Sequence, residues 1–398
     1  MLPTLDEGTD VLRQLTEVAR AVVPRDPVQV RAHRDGPVGF DLALWRRFAE
    51  LGWLGLLVPD EMGGAGAGVP AAAAVARTLG SAGRLEPFVA CGVITPACLV
   101  ALPATPAVQR LLRSVLAGEL VAPAWAAAGW GSTAGRPVSA TTGPEWIALS
   151  GTAYWVPVNA PDVFLVLAYA EDDEPLLVRV DATVAGLRQT PQAMADGTNW
   201  THLGFDGSVQ LPQTAVLARG PVASTALADA LETGVIVLAA ELLGSMERMF
   251  ELTLDYLRTR HQFGRPIGSF QVLQHKAVDA WIQLKLAEAA VDAALRLPED
   301  ASRASRLAAA SGAKARTSTS ALRIGNDCVQ LHGAIGFTDE YELGHHVNRS
   351  LVNAAWLGNG RIHTRRYSQL VGGGIAPEGA PEHWPNATEG DEHMEVRG

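Results

Sequence analysis

Cysteine is scarce in this 398-residue chain, with only Cys91, Cys98 and Cys328. Three thiols at those separations match neither the paired spacing of a zinc site nor a small disulfide framework. With MLPTLDEGTD lacking a basic start and an apolar signal core, the expected location is cytoplasmic. A basic excess is lacking too: 42 acidic against 32 basic residues leave a net charge of -10, which offers no general attraction to nucleic acid. No uninterrupted apolar span is present. PFVACGVITPACLVALPA, residues 87–104, carries no charge, but Pro87, Pro96 and Pro103 would break a spanning helix, so buried packing is expected and membrane insertion is not. The glycines of GGAGAG, residues 63–68, follow helical sequence and precede no strand–helix–strand series, which argues against a nicotinamide-dinucleotide fingerprint. His332 has no metal-ligating partner at a convincing spacing, and no metal site is expected.

What is present is a chain with 48% hydrophobic residues, enough to bury the cores of two or three domains. DVLRQLTEVARAVV, DLALWRRFAELGWLGLLVP and PAVQRLLRSVLAGEL show helical periodicity within residues 11–121. Short branched and aromatic runs follow, among them GPEWIALSGTAYWVP, DVFLVLAYA and PLLVRVDA, separated by Gly, Pro, Asn and Asp. They predict a small antiparallel barrel or sandwich. Long amphipathic segments return at about residue 223 and continue to about 372. The expected domains are therefore 1–121 (helical), 122–222 (β) and 223–375 (helical bundle), followed by a flexible tail over 376–398 rich in helix breakers.

Two stretches carry ligand chemistry. In RTRHQFGRPIGSF, residues 258–270, Arg258 and Arg260 favour a helix C-terminus and Gly264 and Pro266 enforce a turn. Helix termination alone does not account for Gln262 and Phe263 between them. Arg260 could engage a phosphate while Phe263 packs on a planar group. In RIGNDCVQLHGAIGFTDEY, residues 323–341, Gln330 and Gly333 close a helix and Gly336 helps form the turn before Phe337, a pattern suited to chain reversal with ligand contact.

Together with FAELGWLGLLVPDEMGGAGA, these segments resemble the cofactor-binding signatures of the acyl-CoA dehydrogenase family over about residues 11–372. The resemblance implies an α+β fold with an N-terminal helical domain, a middle β-barrel domain and a C-terminal four-helix bundle. It implies FAD as cofactor, with Arg260 and Gln262 at its phosphates, Phe263 packed against it and the Gln330–Gly333 turn reaching a neighbouring subunit's adenine side. Trp155, in GTAYWVP, matches a flavin-stacking position. Pro157 replaces a hydroxyl-bearing residue found in many relatives, and Ala334 replaces a glycine.

The implied chemistry is α,β-desaturation of an acyl-CoA thioester: a carboxylate takes the α proton, the β hydrogen leaves as hydride to the flavin, and an electron-transfer flavoprotein reoxidises it. Leu357 stands where most relatives carry the glutamate base, and Gly234 at the family's alternative position. Glu232 and Glu241 lie nearby. Glu241, two turns beyond Gly234 on roughly the same helix face, is the candidate base. Three functions follow. The first is a dehydrogenase acting on a bulky or ring-bearing acyl-CoA. The second is a FAD-site-completing subunit of a heteromeric dehydrogenase, and the third a biosynthetic flavoenzyme on the same fold. A homo-oligomer, or an assembly with a related subunit, is expected in each case.

Overall fold

A computed structural model describes residues 5–126, 136–298, 300–338 and 340–372; the expected flexible tail lies outside the described residues. Six helices come first: α1 (Leu5–Val22), α2 (Pro27–Arg34), α3 (Leu42–Glu50), α4 (Gly68–Ser81), α5 (Thr95–Val100) and α6 (Pro106–Leu116). Local chemistry sets their starts. The Asp26 side chain accepts from the amides of Val28 and Gln29 ahead of Pro27, and Thr105 does the same for Val108 ahead of Pro106. The charge-free stretch is buried nearly throughout as far as Leu99, and its end at Ala101, Pro103 and Ala104 is exposed. Its Phe88–Ile94 part is π-helical and runs directly into α5. Pro96 explains the wide turn, because its ring cannot sit against the carbonyl four residues earlier in a regular helix.

The sheet follows, with β1 (Val121–Ala124), β2 (Val138–Thr142), β3 (Trp146–Val156), β4 (Val163–Tyr169), β5 (Pro175–Asp181), β6 (Leu187–Ala193), β7 (Asn199–Pro212) and β8 (Val216–Arg219). The order across it is β6-β7-β3-β2-β4-β5-β8, with β1 alongside β4. This overturns the expected middle β-barrel. β6 pairs with β7 and β8 with β5, and the two do not pair with each other, so the sheet stays open. Nor is it purely antiparallel, since β1 and β2 both run parallel to β4. The central β4 is buried along almost its whole length, whereas β6 is largely exposed and contains Pro191, as suits an edge strand.

The last region holds α7 (Pro221–Thr259), a two-residue hairpin of β9 (His261–Gln262) and β10 (Arg265–Pro266), then α8 (Gln271–Leu295), α9 (Arg303–His332), α10 (Glu342–Ala355) and α11 (Gly360–Val371). α7, α8 and α9 pack on one another, and α10 and α11 both pack on α9. α7 ties the molecule together: its first half joins the core shared by the N-terminal helices and the sheet, its second half the core of the C-terminal helices. α4 lies along it at backbone distance. A Cβ on Gly80 would fall 2.0 Å from the Glu241 carbonyl oxygen, and one on Gly244 1.9 Å from that of Arg77, so neither position admits a side chain. Among the described residues no helix is long and apolar enough to cross a membrane.

Candidate functional site

The two positions at which the family resemblance places a base meet in space. Gly234 lies on α7 and Leu357 on the turn between α10 and α11. A Cβ on Gly234 would stand 3.5 Å from Leu357 Cδ1 and only 2.6 Å from Ile94 Cγ1. Ile94 and Leu357 are both buried, so the junction is apolar. Leu357 is held at φ 57°, a strained conformation for a residue with a side chain. Its surroundings fix it. The His363 Nε2 donates to the Leu357 carbonyl at 2.8 Å, and Lys314 Nζ donates to the carbonyls of Asn353 (2.9 Å) and Ala354 (3.1 Å), capping α10. Lys314 is wholly buried, which pushes its ammonium down to about 7; burial likewise holds His363 down at about 3, and hence neutral.

Glu241 is buried two turns along α7. All its hydrogen bonds fall on one oxygen: Oε1 accepts from Arg349 Nε (3.2 Å), Arg349 Nη2 (3.0 Å) and Asn353 Nδ2 (2.7 Å). Arg349 reaches with its remaining nitrogen to Asp196 Oδ2 at 2.9 Å, in the connection between β6 and β7. One guanidinium on α10 thus links α7 to the sheet. Beside this group is a cavity of about 30 Å³, room for one water, lined by Glu241, Asn353, Trp356, Trp200, Phe88 and Pro157 among others. Glu232 faces elsewhere and pairs with Arg366 on α11, while burial raises its pKa.

The cofactor residues fall into two groups. Arg260 terminates α7, Gln262 lies in β9, and Phe263 caps the hairpin at φ 52° with 90% exposure. The ring of Phe263 meets Phe270 edge-on at 6.1 Å. Gln330 lies in the last turn of α9, and Gly333, at φ 65°, has open space where a Cβ would be. The stack of Tyr256 on His332, 4.5 Å between centroids, brings the α9 turn beside the end of α7 that carries Arg260. The side chains of Arg260, Gln262 and Gln330 are exposed and make no hydrogen bond among the described residues. An unpaired arginine, two free amides and an exposed ring fit a phosphate-bearing aromatic cofactor. Trp155 packs instead with the first core, on an irregularity of β3 at φ 58°, its ring 4.7 Å from that of His202. The Nε2 of His202 is buried there without a hydrogen-bond partner among the described residues.

Sequence reasoning missed Arg349, Asp196, Lys314 and His202. The available signal for Arg349 was its place on the apolar side of α10, near Leu343 and His346, both buried.

Comparison with known proteins gives a consistent result. The model of the acyl-CoA dehydrogenase N-terminal domain matches residues 9–119 and that of the acyl-CoA dehydrogenase C-terminal domain residues 225–371. The acyl-CoA dehydrogenase IpdE2 of Mycobacterium tuberculosis is 30% identical, covering 90% of this chain and 96% of its own. IpdE2 of Mycolicibacterium smegmatis is 28% identical over 92% and 100%. Among solved structures, a variant of the Tcur3481-Tcur3483 steroid ACAD superposes with a TM-score of 0.81 at 26% identity, over 92% of this chain and 98% of that one. The FAD complex of PigA has the same fold, with a TM-score of 0.81 at 19% identity over 94% and 99%.

Proposed function

The chain belongs to the acyl-CoA dehydrogenase family and is an FAD flavoprotein of that fold, and from this we propose that it works as one subunit of a heteromeric dehydrogenase for a bulky, steroid-type acyl-CoA. In this reading it completes the FAD site, and the related partner chain supplies the base. One observation carries the proposal: Gly234 and Leu357, the positions to which the family resemblance assigns the base, pack together with Ile94 in one apolar junction. The Tcur3481-Tcur3483 structure, described as a steroid ACAD under a paired designation, supports both the substrate class and the two-chain assembly.

Bound FAD would supply the hydride acceptor for oxidation of the thioester. Arg260 and Gln262 would hold its phosphates, Phe263 would pack against it, and Trp155 would meet its ring system. The turn at Gln330 and Gly333 reaches the neighbouring subunit's cofactor. The apolar junction at Gly234 excludes water, and the Lys314 and His363 hydrogen bonds keep Leu357 in place. An electron-transfer flavoprotein would then reoxidise the cofactor.

A second reading keeps desaturation within this chain, with Glu241 as base. It is favoured by the Glu241 carboxylate, whose Oε1 is anchored while Oε2, beside the small cavity, accepts no hydrogen bond among the described residues. Rapid-mixing measurement of flavin reduction by a steroid-type acyl-CoA tests both. The heteromeric reading expects the FAD-loaded chain alone to be inert and the assembly with its related partner to reduce. Reduction by the chain alone, lost in Glu241→Gln, overturns it.

A further inference from the structure

A second cavity, of about 700 Å³, opens between α1, α4, α7 and α8 and shares no lining residue with the site described above. Its floor is made by small or aliphatic side chains, Leu12, Ala73, Ala74, Ala240, Val291 and Leu295. The alanines explain the space, since α1 packs on α4 over a surface with too little side-chain volume to fill the gap.

Not every arginine around the cavity is paired with an acid. Five arginines line it, Arg20, Arg25, Arg77, Arg248 and Arg296, against three carboxylates, Glu247, Glu251 and Asp292. Each carboxylate is already matched: Glu247 with Arg77, Glu251 with Arg248 at 2.7 Å, and Asp292 with Arg296 at 3.0 Å. Arg77 also holds Glu288 at 2.7 Å, and Arg248 also holds Glu342 at 2.8 Å. Two cations are left over. Arg25 donates to the Ser81 hydroxyl at 2.9 Å, and Arg20, in the last turn of α1, has no hydrogen-bond or ion-pair partner among the described residues. A roomy cavity with an apolar floor thus has two arginines, Arg20 and Arg25, to which none of its carboxylates is paired.

We propose that this cleft binds an organic carboxylate with an apolar body, the carboxylate meeting Arg20 and Arg25 and the body lying on the alanine and leucine floor. Each part is needed. An anion alone would leave the floor wet, and a neutral hydrophobe would cover the arginines without pairing them. The cavity lies within the size range of small-molecule sites. Because the arginines are at the rim, added salt should weaken binding.

Titration calorimetry of the FAD-loaded assembly with sodium decanoate tests the assignment, with inorganic phosphate and 1-decanol as partial probes. Saturable decanoate binding is expected, weakened at least about tenfold by Arg20→Ala with Arg25→Ala. Ala74→Trp, which fills the floor, should remove it. Phosphate and 1-decanol should each bind more weakly than decanoate. Absence of saturable decanoate binding overturns the proposal. So does binding unchanged in the double arginine variant, which would place decanoate elsewhere, or phosphate binding as tight as that of decanoate. Should Ala74→Trp fail to fold, the surface arginine variants still decide the matter.

Discussion

Ile94 occupies the space into which a side chain at Gly234 would grow: its Cγ1 and Cδ1 lie 2.6 and 2.7 Å from where that Cβ would be. Leu357 closes the same spot from the other side. Gly234→Ala should therefore destabilise the protein by about 1–3 kcal/mol through overpacking. In an Ile94→Ala background the same change should cost less, because the obstructing atoms are gone. Urea unfolding of the four proteins measures the coupling; strictly additive losses would show that Ile94 is not what excludes the side chain.

Glu241→Gln separates a strut from a base. Gln can still accept from Asn353 and Arg349, but the buried guanidinium is left with Asp196 as its one charged partner. A stability loss of about 2 kcal/mol is expected, together with unchanged flavin reduction in the complete heteromeric assembly. Reduction slowed about 10²-fold in that assembly would instead identify proton abstraction at Glu241.

Arg260→Ala should remove a phosphate contact without disturbing a core, because the side chain is exposed and makes no hydrogen bond among the described residues. FAD retention should weaken by about 2 kcal/mol, roughly thirtyfold in dissociation constant. Fluorescence titration of the deflavinated assembly checks this, and an unchanged constant would remove Arg260 from the site.

His345 predicts an acid sensitivity. Burial, then the neighbouring His346, depresses its pKa from 6.5 to about 4, and its Nε2 donates to the Gly83 carbonyl at 2.6 Å. Between those values the unfolded chain holds a proton that the folded chain does not, so stability falls as pH drops from 6.5 to about 4 and this group adds no further loss below that. The contribution is on the order of 3 kcal/mol. His363, depressed to about 3, acts in the same direction from 6.5 down to about 3. Unfolding midpoints measured from pH 7 to pH 4 should decline, and His345→Gln, which keeps a donor for Gly83, should flatten the decline. A slope identical in His345→Gln would assign the sensitivity to other groups.

Much of the architecture was legible along the chain. Helical periodicity, then short β-branched runs, then long apolar helices reappear as α1–α6, the sheet and α7–α11, because each pattern records which side of an element is buried. Gly264, at φ 79°, and Pro266 place the turn after α7 where they were expected to. The charge-free stretch with three prolines is mostly buried, its last residues around Pro103 excepted, and its π-helical form was not foreseen. The barrel expectation failed for a definite reason. Closure depends on whether β6 meets β8, and alternation within a strand says which face is buried, never which edge has a partner.

The candidate site divides the same way. Residue identity alone determined that neither Leu357 nor Gly234 can take up a proton, and that Arg260, Gln262 and Phe263 sit together at one helix end. Only the tertiary structure decided that Gly234, Leu357 and Ile94 share one apolar junction, and that Glu241 is bound to Arg349 and through it to Asp196. It also decided that Lys314, in a stretch of small polar residues that reads as surface, is wholly buried. The reason is the same in each case: these partners lie on different elements, and long-range contacts depend on how the elements pack, whereas periodicity and turn chemistry act among near neighbours along the chain.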